Sequence, residues 1–465
     1  MVLPITDGAW LMIESGEAPQ HVGGLMVFDY PPDASPTWLH DTWQRLRTAT
    51  DFAPPFSYRL RRPYGLAGLF DWEPDPDIDL DYHLRFSALP RPGRVRELLV
   101  LVSRLHSTLL DRHRPLWEVH LIEGLQPEHE GEPPRFAMYA KFHHSMFDGV
   151  GAMRVMRRMF SADPDLRGMA APWEIASTAA TTPSPAPEPL RSSPAEKPGL
   201  LDPVRSLGTI AGTLRDQARA TRQGVKGEVM PFSAPRSLLN GRITGSRRFA
   251  ADGFSFERMS GVAKALGVSI NDVALAMSSH AMRTYLLDHM ALPDKPLTGM
   301  IPVSVRTEDD GPQGNALSFL VVDLGTDIDD PIDRLERIRT SMQRGKDRLA
   351  SMSRSERVGY AVAITSPYVI GPLLGIAGRG RPLANVVISN VPGPREPRYF
   401  DGARLQGMYP ASLLQQGQAL NITLTSYDTE MQFGLTACRK TLPQMQRMLD
   451  HLDAGLQELE KLTAA

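Results

Sequence analysis

A mixed α/β fold built as two similar lobes is predicted by three features of the sequence. Short runs alternate apolar and polar residues at the two-residue period of a strand, and the stretches between them repeat apolar residues every three or four positions, the period of a helix. From Trp173 to Pro203 the chain turns to proline, alanine, serine and threonine, the composition of a linker. This divides it into an N-terminal lobe (residues 1–172), a linker with an amphipathic helix (173–240) and a C-terminal lobe (241–465).

In the N-terminal lobe, HVGGLMVFD (His21–Asp29) reads as a strand and ELLVLVSRLHSTLL (Glu97–Leu110) as an amphipathic helix. LWEVHLIEGL (Leu116–Leu125) and RFAMYAKFHH (Arg135–His144) read as strands, and VGAMRVMRRMF (Val150–Phe160) as a helix. After the linker, Leu201, Val204, Leu207, Ile210, Leu214 and Ala218 mark a helix whose other face is basic, through Arg205, Arg215, Arg219, Arg222 and Lys226. Such a face is either solvated or meets an anionic partner. In the C-terminal lobe a helix is expected around Ile270–Met290 and strands around Leu297–Val305, Leu317–Leu324 and Asn385–Ser389. A hairpin follows with Asp428-Thr429 near its turn, and a helix from Leu442 to Leu462 closes the chain.

Composition narrows the function. With 465 residues, 42% of them hydrophobic, the chain can bury sizeable cores. A net charge of −2 lacks the basic excess of a nucleic-acid binder. The single cysteine, Cys438, excludes an internal disulfide and fits a cytoplasmic protein. MVLPITDGAWLMIESGE has no basic start and carries Asp7 and Glu14, unlike a secretory leader. The uncharged stretch Val358–Gly378 is long enough to span a bilayer, but Pro367, Pro372 and its glycines interrupt it. Buried helices or an apolar channel wall are expected there, with contact to a lipid surface as the alternative.

The segment YAKFHHSMFDGVGAMRVM (Tyr139–Met156) carries the chemistry. If the strand persists to its end, Phe136, Met138, Ala140, Phe142 and His144 share one face, and Tyr139, Lys141 and His143 the other. The two histidines then face apart and cannot converge on one ion. Neither HExxH nor CxxC occurs, so no metal site is expected. Gly149 relieves a tight turn. Asp148 either caps the following helix or forms a buried ion pair that holds the histidine loop. Residue spacing does not separate these roles.

HHSMFDG (His143–Gly149) fits the HHxxxDG motif of the acyl-CoA-dependent acyltransferase superfamily, which includes chloramphenicol acetyltransferase and peptide-synthesis condensation domains. RPLWEVHLIEGL (Arg114–Leu125), SINDVALA (Ser269–Ala276), IPVSVR (Ile301–Arg306), GNALSF (Gly314–Phe319), ISNVPGP (Ile388–Pro394) and the HVGG stretch resemble, in order, bacterial wax ester synthase/diacylglycerol acyltransferases. The resemblance runs from about residue 4 to about residue 440. It implies two chloramphenicol-acetyltransferase-like lobes with the active site in a channel between them. It also implies transfer of a fatty acyl group from acyl-CoA to a long-chain alcohol or to diacylglycerol, without a cofactor. The second motif histidine, His144, is then the general base, and Asn271 a candidate donor to the oxyanion. Losing one such donor typically costs about 3–4 kcal/mol of barrier. By the same resemblance Asp148 pairs with Arg306, while His143, Gly149, Asp272 and the Pro115-Leu116-Trp117 segment support the site.

Taken on their own, Ser269 or Asn271 also reads as an ordinary helix N-cap, with Asp272 favoured in the first turn, and Leu116 and Trp117 as core. Met153, Met156, Ala361 and Ile364 are candidates for an acyl channel. No GxSxG elbow supports an acyl-enzyme. Expected partners are acyl-CoA, the acceptor lipid and, peripherally, the inner membrane or a lipid-droplet surface. The alternatives are a condensation-type enzyme using a carrier-bound donor and an amine, or a non-catalytic lipid-surface protein.

Overall fold

The computed structural model describes Leu3 and residues 5–64, 70–147, 155–156, 158–175, 202–304 and 317–463. Its strands are β1 (His21–Asp29), β2 (Tyr58–Leu60), β3 (Trp72–Pro74), β4 (Leu84–Ala88), β5 (Trp117–Leu125), β6 (Arg135–His143) and β7 (Arg247–Ser255), followed by β8 (Thr298–Ser304), β9 (Leu317–Asp323), β10 (Val386–Val391), β11 (Tyr399–Phe400), β12 (Ala403–Ala411), β13 (Leu420–Tyr427) and β14 (Glu430–Cys438). Its helices are α1 (Ile5–Ile13), α2 (Trp38–Leu46), α3 (Leu80–His83), α4 (Val95–Ser107) and α5 (Asp202–Arg222), then α6 (Phe256–Leu266), α7 (Ile270–Asp288), α8 (Pro331–Ala350), α9 (Arg354–Leu373) and α10 (Arg447–Thr463).

Two six-stranded mixed sheets dominate, ordered β11-β12-β1-β6-β5-β4 and β7-β14-β13-β10-β8-β9. The first is antiparallel except where β4 runs beside β5, and the second is parallel at the β10–β13 and β10–β8 pairs. Both faces of β6 are buried, and its parity is real. Phe136, Met138 and Ala140 join one apolar cluster, while Ala137 and Tyr139 join another.

The sequence partition at residue 241 does not separate the sheets. Residues 399–411 cross back, and β12 pairs with β1 on the N-terminal sheet. The sheets then meet where β12 passes β14: the Met408 amide donates to Gln432, and the Ser412 amide donates to Thr436 Oγ1 at 3.1 Å. The approach is close enough that a Cβ on Gly434 would lie 1.8 Å from the Pro410 carbonyl oxygen. Helix α4 ties the sheets a second time, Ser103 and Ser107 accepting the amides of Phe249 and Arg247 at 2.9 Å.

Two further expectations change, and others lie outside the described residues. Trp173, read as the first linker residue, is fully buried: it stacks on Trp117 at 5.4 Å and donates to the Ala49 carbonyl. Residues 176–200 and most of the helix expected over Val150–Phe160 lie outside the described residues. The Val358–Gly378 stretch is only partly buried. Helix α9 buries Arg357, Tyr360 and Ile364 but turns Val358, Val362 and Ile370 outward. The β13–β14 hairpin closes as expected through Asp428-Thr429, with Asp428 at φ 48°.

Candidate active site

The motif begins where two central strands end. His21 of β1 lies opposite His143 of β6, and β1 sits tight against β6, since a Cβ on Gly23 would lie 2.7 Å from the Ala140 carbonyl oxygen. That fit explains the glycine of the HVGG stretch.

Strand β6 stops at His143, one residue earlier than expected, and the Met146 amide closes a turn onto the His143 carbonyl at 3.0 Å. The histidines therefore separate because the chain turns between them, not because a continuous strand alternates. His143 is fully buried. Its amide donates to the Leu116 carbonyl at 2.9 Å, which is how the RPLW segment touches the motif. Its Nδ1 accepts the Ser145 amide at 3.1 Å and lies 2.7 Å from Ser145 Oγ. Accepting at Nδ1 leaves the proton on Nε2, and Nε2 lies 3.4 Å from Glu14 Oε1. That approach lacks hydrogen-bond alignment, so it is an electrostatic contact.

Glu14 is one of two residues that sequence reasoning missed, Trp10 being the other. It lies just past α1, buried, with Arg112 at 3.0 Å and the Gln20 amide donating at 3.1 Å. Burial pushes its carboxyl up, but His143, Arg112 and the Gln20 amide outweigh this and hold it below the usual range. Its only sequence signal is an acid at the end of an otherwise apolar stretch.

His144 is different. It is half-buried, its amide donates to the Gln20 carbonyl at 2.9 Å, and its ring stacks on Trp10 of α1 at 4.3 Å and 28°. Gln20 in turn accepts from Gln415 at 2.8 Å, tying the histidine turn to the far end of the chain.

Pro115, Leu116 and Trp117 are buried. Leu116 packs with Leu11 of α1 and with Met146, and Trp117 Nε1 donates to the Phe56 carbonyl at 3.0 Å. In the SINDV segment Ser269, not Asn271, is the N-cap of α7: its hydroxyl accepts the Asp272 amide at 3.2 Å, and the Asp272 carboxylate accepts the Ser269 amide at 3.0 Å. Asp272 is thereby committed to a capping box, and half-buried Asn271 stands in the first turn. Asp148, Gly149, Met153 and Arg306 lie outside the described residues, and with them the expected Asp148–Arg306 pair. Met156 packs in the N-terminal core and Ile364 in the C-terminal core, with Ala361 half-buried on α9, so the channel candidates do not share one cluster. A cleft of about 660 Å³ lies elsewhere, lined by Arg59, Asp75, Asp79, Asp111, His113 and Arg114 among others, and its charge does not suit an acyl chain.

Other buried histidines in the lobe are structural. Burial drives His106 down to about 3 and His83 to about 4, and each rests on a backbone carbonyl. Among the described residues no group of histidine, cysteine and carboxylate side chains is placed to hold a metal ion.

Twin mixed sheets joined by a crossing strand, with a divided histidine pair at the end of a central strand, form the two-lobed fold of the condensation domains. The first condensation domain of the calcium-dependent antibiotic synthetase shares this fold, with a TM-score of 0.54 at 18% identity over 99% of this chain and 94% of that one. The chain belongs to the wax ester synthase/diacylglycerol acyltransferase family: the catalytic-domain model matches residues 3–274 and the C-terminal-domain model residues 313–460. It is 40% identical to the O-acyltransferase WSD of Acinetobacter baylyi, over 98% of this chain and 96% of that protein. The wax ester synthase/diacylglycerol acyltransferase from Marinobacter aquaeolei VT8 superposes with a TM-score of 0.78 at 40% identity, covering 100% of this chain and 99% of that one.

Proposed function

We propose that the protein transfers a fatty acyl group from acyl-CoA to the hydroxyl of a long-chain alcohol or of diacylglycerol, with His144 as general base and no cofactor. The observation that carries this reading is the division of the histidine pair: His143 is enclosed beside Glu14, whereas His144 is half-open and stacked on Trp10. The lone pair of a neutral imidazole can take the hydroxyl proton as the C–O bond forms.

In the proposed reaction the acceptor oxygen loses its proton to His144 as it bonds to the thioester carbonyl carbon. The tetrahedral intermediate then collapses, the C–S bond breaks, and the CoA thiolate recovers the proton from the imidazolium. Trp10 favours the imidazolium electrostatically through its π face. Glu14 and His143 hold the turn in shape. Asn271 is the proposed oxyanion donor, and Asp148 and Arg306 the proposed clamp on the loop.

The test is to incubate pure protein with palmitoyl-CoA and either hexadecanol or dioleoylglycerol, following free thiol and ester together. Equal amounts of thiol and ester support the reading. Folded protein that makes ester from neither acceptor overturns it.

A further inference from the structure

We propose that the outward half of α9, with the arginines beside it, docks on an anionic phospholipid surface. At 100° per residue, Val358, Val362, Ile370 and Leu373 fall on the half of the helix opposite Arg357, Tyr360, Ile364 and Gly371, which are buried. The stripe continues past the helix through Leu374 and Ile376. These six outward side chains are between 50% and 65% exposed. They are six of the sixteen large hydrophobic side chains exposed among the described residues, gathered within nineteen positions. Isolated exposed aliphatics need no explanation, but a concentrated patch marks a contact surface.

Charge selects the occupant. From Arg357 to Arg395 there is no acidic residue, although the whole chain is net negative at −2. Arg379 and Arg381 stand exposed just beyond the stripe, and α5, packed on α9, exposes Arg215, Arg219 and Arg222. An apolar helix face edged by arginines fits the interfacial zone of a membrane, where aliphatic groups enter the acyl boundary and cations meet phosphates. Among the described residues no helix is long and apolar enough to cross a bilayer, so the contact lies in the surface. A second copy of the chain would bring the arginines of both copies together.

The placement also serves the proposed reaction, on which only this point rests. Helix α1 packs against α9 and its Trp10 stacks on His144, so the docking helix stands one helix away from the proposed base. A water-insoluble acceptor would enter from the surface that dissolves it.

The experiment is flotation of the full chain with phosphatidylcholine vesicles, either pure or containing about one third phosphatidylglycerol. It needs no turnover, so it stands or falls apart from the catalytic reading. Wild type is expected to float with the anionic vesicles and to be released by salt. The triple variant Val362→Glu, Ile370→Glu, Leu374→Glu should lose roughly ten-fold or more of the bound fraction while keeping its circular dichroism and melting temperature. The pair Arg379→Glu, Arg381→Glu should lose a similar factor on anionic vesicles only. The proposal is overturned if wild type floats with neither vesicle or equally with both, or if the triple variant floats like wild type. It is equally overturned if light scattering shows a dimer that the triple variant dissolves, with no vesicle binding.

Discussion

His143 and His144 are neighbours with unequal surroundings, and variants should separate them. His143→Ala opens a cavity beside Glu14 in a fully buried site and should show first as a lowered melting temperature. Glu14→Ala leaves His143 and Arg112 without their shared carboxylate, and loss of one member of such a buried set costs about 3–5 kcal/mol. Chemical denaturation measures this, and an unchanged midpoint would remove Glu14 from the site. Trp10→Leu should lower kcat roughly ten-fold with little change in KM, while Trp10→Phe keeps most activity by keeping an aromatic face. Equal losses in both variants would make Trp10 mere packing. At this scale the sequence was legible in part. Strand parity set the histidines apart, yet the strand ends at His143, and the turn does the separating. Glu14 and Trp10 were illegible because Arg112, His143 and His144, the groups that give them their place in the site, lie more than ninety positions away, and spacing along a chain carries no signal for such contacts.

At the scale of elements, the strands read in the sequence lie within a residue or two of those found, because their alternation is fixed by burial on defined faces, whereas β2, β3, β4, β7, β11 and β12 were not read at all. β1 was read with its bounds as found, and β6 one residue too long. The cap of α7 shows what spacing leaves open. Ser269 and Asn271 both suit a helix start, and only the reciprocal bonds with Asp272 decide for Ser269. Ser269→Ala should therefore cost about 1 kcal/mol in stability, measured by urea denaturation, without the loss of turnover expected of Asn271→Ala. Helix α9 was the least legible. Its stretch from Val358 on is uncharged and suggested burial, and only the folded chain shows Val358, Val362, Ile370 and Leu373 exposed.

The whole molecule depends on contacts that cross the sequence. β12 completes the N-terminal sheet from residues 403–411, a partnership no local pattern announces. Gly434 permits the crossing, so Gly434→Ala should destabilise both lobes together, by about 3 kcal/mol or more. Two separate thermal transitions in that variant would contradict the shared interface.

The buried histidines give the fold a pH dependence. Burial holds His21, His83, His106 and His120 below the ordinary value of 6.5. As pH falls through 6.5 the unfolded chain binds protons that His83 refuses in the native state until about pH 4 and His106 until about pH 3, so stability rises with pH across that window and is lost as pH falls. The melting temperature should begin to drop below about pH 6.5, by the equivalent of several kcal/mol near pH 4. A flat profile from pH 7 to pH 4.5 would contradict the neutral assignment.

The central claim is that His144 removes the acceptor's proton in a direct transfer. The measurement is kcat/KM for thiol release and ester formation by wild type and His144→Ala, on protein with matched circular dichroism. The claim predicts a loss of about 10²–10⁴-fold in both signals together. A folded His144→Ala variant that still forms ester near the wild-type rate would contradict it.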